Sequence, residues 1–450
     1  MKNVSVADYI SIGAETDTTQ AFQSAIDDCF LNGGGTVEVP KGEYPIGGIR
    51  LRSNVSLLLR SGARLLGSRN PEDYCILLKD GVEPIEDALR QQPKWRFSLT
   101  AEDFVWNKNP ASRWNNGLIR AFRARNVTIK GEEGSLIDGM DCFDEQGEEN
   151  YRGPHCISMH DCSNINIEGI HIQNSSNWAV ALFNSQDIRV SDIRVIGGHD
   201  GVHLTTCDGA YIKDCSFFTG DDCVAGIDNI DVNVSNCELN TACSAFRIGG
   251  THIHVSNCRM YGPARFLFRG SLSAEEKRLG KPSKSNTAHR YNMLSAFTYY
   301  ADFSRQIRLR PGDITFTDCT VENVDRFIHY NYSGNEPWQR NKPLKDMRFE
   351  RITVNGLKMP LTIYGDRDET VSCAITDCTF SIDSIDIPLI HLCNCAELTL
   401  KNVVVKGLGG APLIKRWSKE GCVHLENLRY DRDEGVLIAD TDEPFICKPI

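Results

Sequence analysis

Between residues 160 and 260 apolar and polar residues alternate in five short phrases, "NINIEGIHI", "DIRVSDIRV", "AYIKDCSFF", "VNVSNCELN" and "HIHVSNCRM". A period of two puts successive side chains on opposite faces of a strand, so each phrase reads as half-buried β-strand. With Ile167, Val190, Ile212, Val234 and Val255 taken as equivalent, the phrases recur at steps of 23, 22, 22 and 21 residues. A repeat of this length made of strands and turns predicts stacked coils, each pairing with the one before it. The pattern returns at "DITFTDCTV", "MRFERITV", "CAITDCTF", "ELTLKNVVV" and "VHLENLRY", around Phe316, Phe349, Ile375, Leu400 and Leu425. An earlier form stands in "NVSLLLRSGARLLGS" and "NVTIKGEEGSLIDG". Helical signals are scarce after residue 40, so the expected fold is all-β: a parallel β-helix of about ten or eleven coils, one domain over residues 1–450.

Two columns of the repeat carry small residues. Asp214, Asn236, Asn257, Asp318 and Asp377 share one position, and Cys215, Cys237, Cys258, Cys319 and Cys378 the next. Asx side chains tolerate a left-handed turn between strands, and the cysteines fill inward slots as small hydrophobes. Residues 1–45 supply an N-terminal cap. There "DTTQAFQSAIDDCF" offers Asp17 or Thr18 as N-cap, followed by Ala21, Phe22, Ala25, Ile26, Cys29 and Phe30 at helical spacing. Two stretches break the period as long inserted loops, 84–117 with Trp95, Trp106 and Trp114, and 271–311. Loops of that length are functional or disordered.

Composition narrows the partners. The hydrophobic share of 41% and charged share of 24% are ordinary for a globular core. The formal charge of −11, from 49 basic and 60 acidic residues, makes nucleic acid a poor partner. None of the 18 cysteines pairs in metal-type C-x-x-C spacing, so buried thiols are expected. "MKNVSVADYISIGAETD" carries Asp8, Glu15 and Asp17 and lacks the apolar core of a secretory signal, and no long apolar run reads as a membrane span. A cytoplasmic location follows as the expectation.

Candidate chemistry sits in two turns. Asp200 of "GGHDGV" and Asp221 of "TGDDCV" are 21 residues apart, about one coil, with Asp222 beside them. One coil is a rise of roughly 4.7–4.9 Å, so the three carboxylates should meet on one surface. Asp is also common in β-helix turns as a purely structural residue. Clustered carboxyls push pKa values apart, so one can hold a proton while others stay charged, the division of labour that glycosidic bond hydrolysis requires.

At these residues the sequence resembles the polygalacturonase family, glycoside hydrolase family 28. "TGDDC" matches the family's Gly-Asp-Asp motif, "NSSNWAV" is similar to the segment before its active site, and residues 13–68 look like its opening helix and first coils. The resemblance implies a right-handed parallel β-helix, Asp221 as general acid, and Asp200 and Asp222 activating water for an inverting displacement. A one-coil spacing lies closer to the 5–5.5 Å usual for retention than to the roughly 6.5–9.5 Å of inversion. Two motifs depart. Gly198, His199 and Asp200 replace the family's Asn-Thr-Asp, and Cys243 or Ser244 stands where the family has a histidine, whose role His199 offers to take in part. The family's Arg-Ile-Lys uronate grip falls near "GPARFLFRG", where Arg265 or Arg269, or Arg247 one coil earlier, would bind substrate. No lysine follows in register, which together with the acidic charge favours a short pectin-derived or related oligosaccharide, trimmed by exo action, over the polymer. Rival readings are a polysaccharide lyase, a transferase, or a carbohydrate-binding solenoid that has lost catalysis. No metal or organic cofactor is implied.

Overall fold

The computed structural model describes residues 2–11, 16–74, 113–301, 308–334, 343–383, 386–431 and 437–442. Most of the first predicted insertion, 84–112, lies outside them. The chain divides into two compact units, Met1–Asp221 with Phe266–Arg290, and Asp222–Arg265 with Tyr291–Ile450. Both are built as right-handed parallel β-helix. In the first unit a coil lays down up to three short strands, each hydrogen-bonded in parallel to its equivalent in the next coil.

The repeat read from sequence is the register of the sheet. In the first unit one column joins Val4, Val37, Leu57, Ile129, Ile167, Val190 and Ile212. In the second, Val234, Val255, Phe316, Phe349, Ile375, Leu400 and Leu425 pair in turn. The rungs exceed the ten or eleven coils expected, partly because Lys2–Ser5 and Gly35–Val39 also pair. Val37 through Ile212 and Val234 through Leu400 are buried. Each such aliphatic or aromatic side chain contributes about 1.5–3 kcal/mol by leaving water. Phe316 anchors the second unit, its ring centroid 5.3 Å from Phe246, 5.0 Å from Phe297 and 5.4 Å from Phe349.

Both small-residue columns behave as their chemistry predicts. Asp214, Asn236, Asn257, Asp318 and Asp377 have φ of 56°, 55°, 53°, 55° and 56°. The next residue of each, Cys215, Cys237, Cys258, Cys319 and Cys378, is buried as a free thiol. Each thiol points back to the carbonyl two residues earlier, at 3.1 to 3.3 Å. A left-handed residue that is not glycine or Asx costs about 1–2 kcal/mol. Asn236→Ala is therefore expected to lower unfolding free energy by about 1 kcal/mol while Asn236→Gly stays near wild type. Denaturant titration checks this, and equal losses in both variants would contradict it.

The expected capping helix is Thr19–Leu31, with Ala21, Phe22, Ala25, Ile26 and Cys29 buried. It packs on Lys2–Ser5, Gly35–Val39 and Ile49–Leu51. Thr18 precedes it, but its hydroxyl donates to Pro45 O at 2.9 Å, while the Asp17 carboxylate accepts from Thr19 N–H at 2.9 Å and so caps the first turn. No helix among the described residues is long and apolar enough to cross a membrane.

One sheet of the first unit differs from the others. Gly117–Phe122, His155–His160, Val180–Phe183 and Val202–Thr205 are buried at every position rather than alternating. The turn that leads into Val202–Thr205 carries Asp200.

Candidate active site

Asp200 lies in the turn between Arg194–Gly197 and Val202–Thr205, and Asp221 in the turn that follows Ser216–Thr219. Gly220 N–H donates to Gly197 O at 2.9 Å, and Ala179 N–H to Asp200 O at 2.9 Å, so three successive turns stack. The stacking sets the turns of Asp200 and Asp221 on neighbouring coils. Both are buried, at 5% and 8% exposure. Asp200 Oδ2 lies 2.8 Å from His203 Nδ1. The His203 ring lies flat on Trp178, centroids 3.5 Å apart and planes 3° from parallel.

A short hairpin brings further charge to these turns. Strand Phe143–Glu148 folds back so that Arg152 bridges antiparallel to both Phe143 and Glu148. The buried guanidinium of Arg152 lies 3.4 Å from Glu148 Oε2, 3.2 Å from Glu149 Oε2 and 3.5 Å from Asp221 Oδ2. Arg152 also donates to Asn177 Oδ1 at 3.4 Å. One cation thus ties the hairpin to the turn of Asp221. Burial pushes the Glu148 carboxyl up to about 8; Arg152 works against this, while Glu149, Asp200 and Asp221 add to it. A fourth carboxyl group, unforeseen in the sequence, therefore holds a proton at neutral pH.

That proton has a measurable sign. Native Glu148 keeps it to about pH 8, whereas a glutamate in the unfolded chain releases it near 4.5. The folded state then binds more protons between those values, so its stability declines as pH rises through the window and levels off above it. Glu148→Gln is expected to flatten this part of the profile of denaturation midpoint against pH. Parallel wild-type and variant curves between pH 5 and 9 would remove Glu148 from the account.

The predicted binding residues His199 and Arg269 belong to the same neighbourhood. His199 is buried and stacks on Tyr151 at 6.1 Å. Burial, then the charges of Arg152 and Arg269, hold its pKa well below the usual histidine range, so the imidazole is neutral. Neither ring nitrogen makes a hydrogen bond. Arg269 pairs with Asp141 and runs over Gly198, where a Cβ would lie 2.3 Å from the Arg269 Nε. Gly220 is needed for the same reason, since a Cβ there would meet Leu267 O at 2.0 Å. These contacts seat Phe266–Arg290, which includes much of the second predicted insertion, against the turns of Asp200 and Asp221. Glu276 organises that segment by accepting from Ser273 N–H at 2.8 Å, Asn286 Nδ2 at 2.6 Å and His289 Nε2 at 2.9 Å. From its short helix Ala274–Leu279, Lys277 places Nζ 4.3 Å from the Tyr151 ring centroid.

Within the second unit, Asp222 accepts from Ser244 N–H at 2.9 Å and lies 3.7 Å from Arg247 Nη1. Ser244, one of the two residues that stand where a histidine was expected, thus holds the carboxylate through its backbone. Arg247 also stacks over Tyr300 at 4.7 Å. Arg265 is exposed, and its own amide donates to Asn240 Oδ1 at 2.7 Å.

The sequence model of Glycosyl hydrolases family 28 matches residues 100–250, the segment that holds Asp200, Asp221 and Asp222. A probable polygalacturonase of Vitis vinifera is 26% identical over 236 residues, 50% of this chain and 44% of the relative. The chain thus matches less than half the length of this curated relative. Among solved structures, a hyperthermoactive exopolygalacturonase from Thermotoga maritima superimposes with TM-score 0.61 at 18% identity, covering 90% of this chain and 91% of that one. A family 28 exopolygalacturonase from Yersinia enterocolitica gives 0.59 at 15% identity, with 96% and 78% covered.

Proposed function

We propose that the protein is a polygalacturonase-like glycoside hydrolase that cleaves pectin-derived or related plant oligosaccharides. The observation that carries this reading is the pair of buried carboxylates, Asp200 and Asp221, on hydrogen-bonded successive turns. Asp221 is assigned as the acid that protonates the leaving oxygen, and Asp200 and Asp222 as the groups that activate water, giving inversion at the anomeric carbon. Arg269 and His199 beside Asp200, and Arg247 beside Asp222, are assigned to substrate binding, with Arg265 as a more exposed contact. Exo action is supported by the Phe266–Arg290 segment, which lies against the turns of the two carboxylates and would close one end of a binding groove. The cytoplasm is the proposed setting, where short imported fragments would be the substrates. No organic or metal cofactor is part of the scheme.

The reaction is tested on a panel of galacturonides, rhamnogalacturonan fragments and neutral plant oligosaccharides, following reducing-end release and ultraviolet absorbance. New reducing ends with no unsaturated product establish the hydrolase, and the first anomer seen by NMR establishes inversion or retention. An unsaturated product would instead make the protein a lyase.

A further inference from the structure

Asp200 has a dedicated partner that the proposed scheme does not use. His203 follows Asp200 by three residues, and the strand Val202–Thr205 places it between Val202 and Leu204, on the opposite face from those two core residues. Its backbone is fixed by parallel pairing with Val180–Phe183, in which His203 faces Ala181. The small Ala181 side chain leaves room on that face for the Trp178 indole, which lies in the same buried cluster as Ala181 and Phe183. The imidazole is thus held from both sides of the turn: by the strand beneath it and by a parallel indole at 3.5 Å.

Such a ring has little rotational freedom, and the 2.8 Å contact from Nδ1 to Asp200 Oδ2 follows from where the strand and Trp178 put it. Ionised carboxylate oxygens only accept, so Nδ1 carries the hydrogen. A charge-assisted hydrogen bond of this kind favours the ionised carboxylate and fixes its rotamer. The side chains of the pair are 4% and 6% exposed, so solvent screens the interaction little.

We propose that His203 is the positioning residue for Asp200: clamped on Trp178, it orients the carboxylate and keeps it charged as the base that activates water. The inference rests on the hydrolase reading for its consequence, though the clamp itself is a structural statement. No atom of His203 needs to touch substrate. Its Nδ1–H stays on the imidazole, and the proton taken from water goes to Asp200.

Two variants separate donor from packing. His203→Phe keeps a flat ring on Trp178 and loses the donor; His203→Asn keeps a donor near the Nδ1 position and loses the ring. On whichever oligosaccharide the wild type cleaves, His203→Phe is expected to lower kcat on the order of 10²-fold with KM little changed, at an unfolding midpoint close to wild type. His203→Asn should recover roughly tenfold or more of that loss. A folded His203→Phe enzyme that turns over like wild type, or a His203→Asn no better than His203→Phe, would overturn the proposal. A readout without substrate distinguishes its failure from that of the hydrolase reading. Nitrogen-15 NMR of the histidine side chains should show His203 with the hydrogen on Nδ1, shifted in Asp200→Asn. That signal in a protein that cleaves nothing keeps the clamp and rejects the hydrolase, whereas a His203 protonated only on Nε2 rejects the clamp whatever the activity.

Discussion

Asp221→Asn is expected to lower turnover about 10³-fold or more while leaving the fold intact. The substitution is nearly isosteric; it removes the capacity to hold and deliver a proton and the carboxylate that faces Arg152. The turn it occupies does not depend on the carboxylate: Thr219 Oγ1 donates to the Asp221 carbonyl at 2.6 Å, and Gly220 N–H bonds Gly197 O, both untouched by the change. Arg152 keeps Glu148 and Glu149 as partners, so the loss of one ion pair at 3.5 Å should shift the unfolding midpoint by little. The comparison that matters is therefore kcat on an identified oligosaccharide against thermal stability in the same buffer. A variant that keeps a tenth or more of wild-type turnover would take the proton-donor role away from Asp221 and direct attention to Glu148, which holds a proton in the same neighbourhood. A wild type that binds sugars without cleaving any, and an Asp221→Asn variant that binds them equally well, would make the protein a binding solenoid.

The parts of the molecule that were legible in the sequence are those written by the repeat. Ile167, Val190 and Ile212 are Cα partners in the sheet because a stacked coil must return each inward residue to the same azimuth, and a residue spacing records that constraint directly. The Asx column was readable for a similar reason, since every coil needs a left-handed residue at the same bend. The turns of Asp200 and Asp221 are neighbours for the same reason. Arg152 and Glu148 were not readable in this way: they ride on a hairpin that interrupts the repeat, and no repeat phrase pairs Arg152 with Asp221, 69 residues further on. The contact of Arg269 with Asp141 spans 128 positions and was equally hidden. His203 was within reach. In "DGVHLT" the apolar residues Val202 and Leu204 alternate around it, which marks His203 as facing away from the core on the strand directly after Asp200. The stack on Trp178 was not readable, because burial on the outer face of that sheet breaks the alternation from which strand faces are inferred.

Arg152→Met should be the most destabilising single change near the site. Arg152 is buried and faces three carboxyl groups, those of Glu148, Glu149 and Asp221, with Asn177 Oδ1 as a fourth acceptor. Methionine fills much of the space of the arginine stem but supplies no charge, so the carboxyls lose the cation that offsets their burial. Glu149 is half-exposed and can turn to solvent, leaving its share small. Asp221 has no such escape, and removing one partner of a buried ionic group costs about 3–5 kcal/mol; Glu148, protonated at neutral pH, adds less. Glu148 is already protonated up to about pH 8 in the native protein, and Arg152 works against that protonation, so the share of the loss that comes from Glu148 should emerge only above that pH. Arg152→Lys restores a charge but not the planar fork that spans Glu148 and Asp221 together, and is expected to fall between wild type and methionine. Denaturant titrations of the three proteins at pH 6.5 and 9 provide the check. A loss below about 1 kcal/mol at pH 6.5 would mean that the hairpin is held by its packing and that Arg152 is not the charge which keeps Asp221 in place.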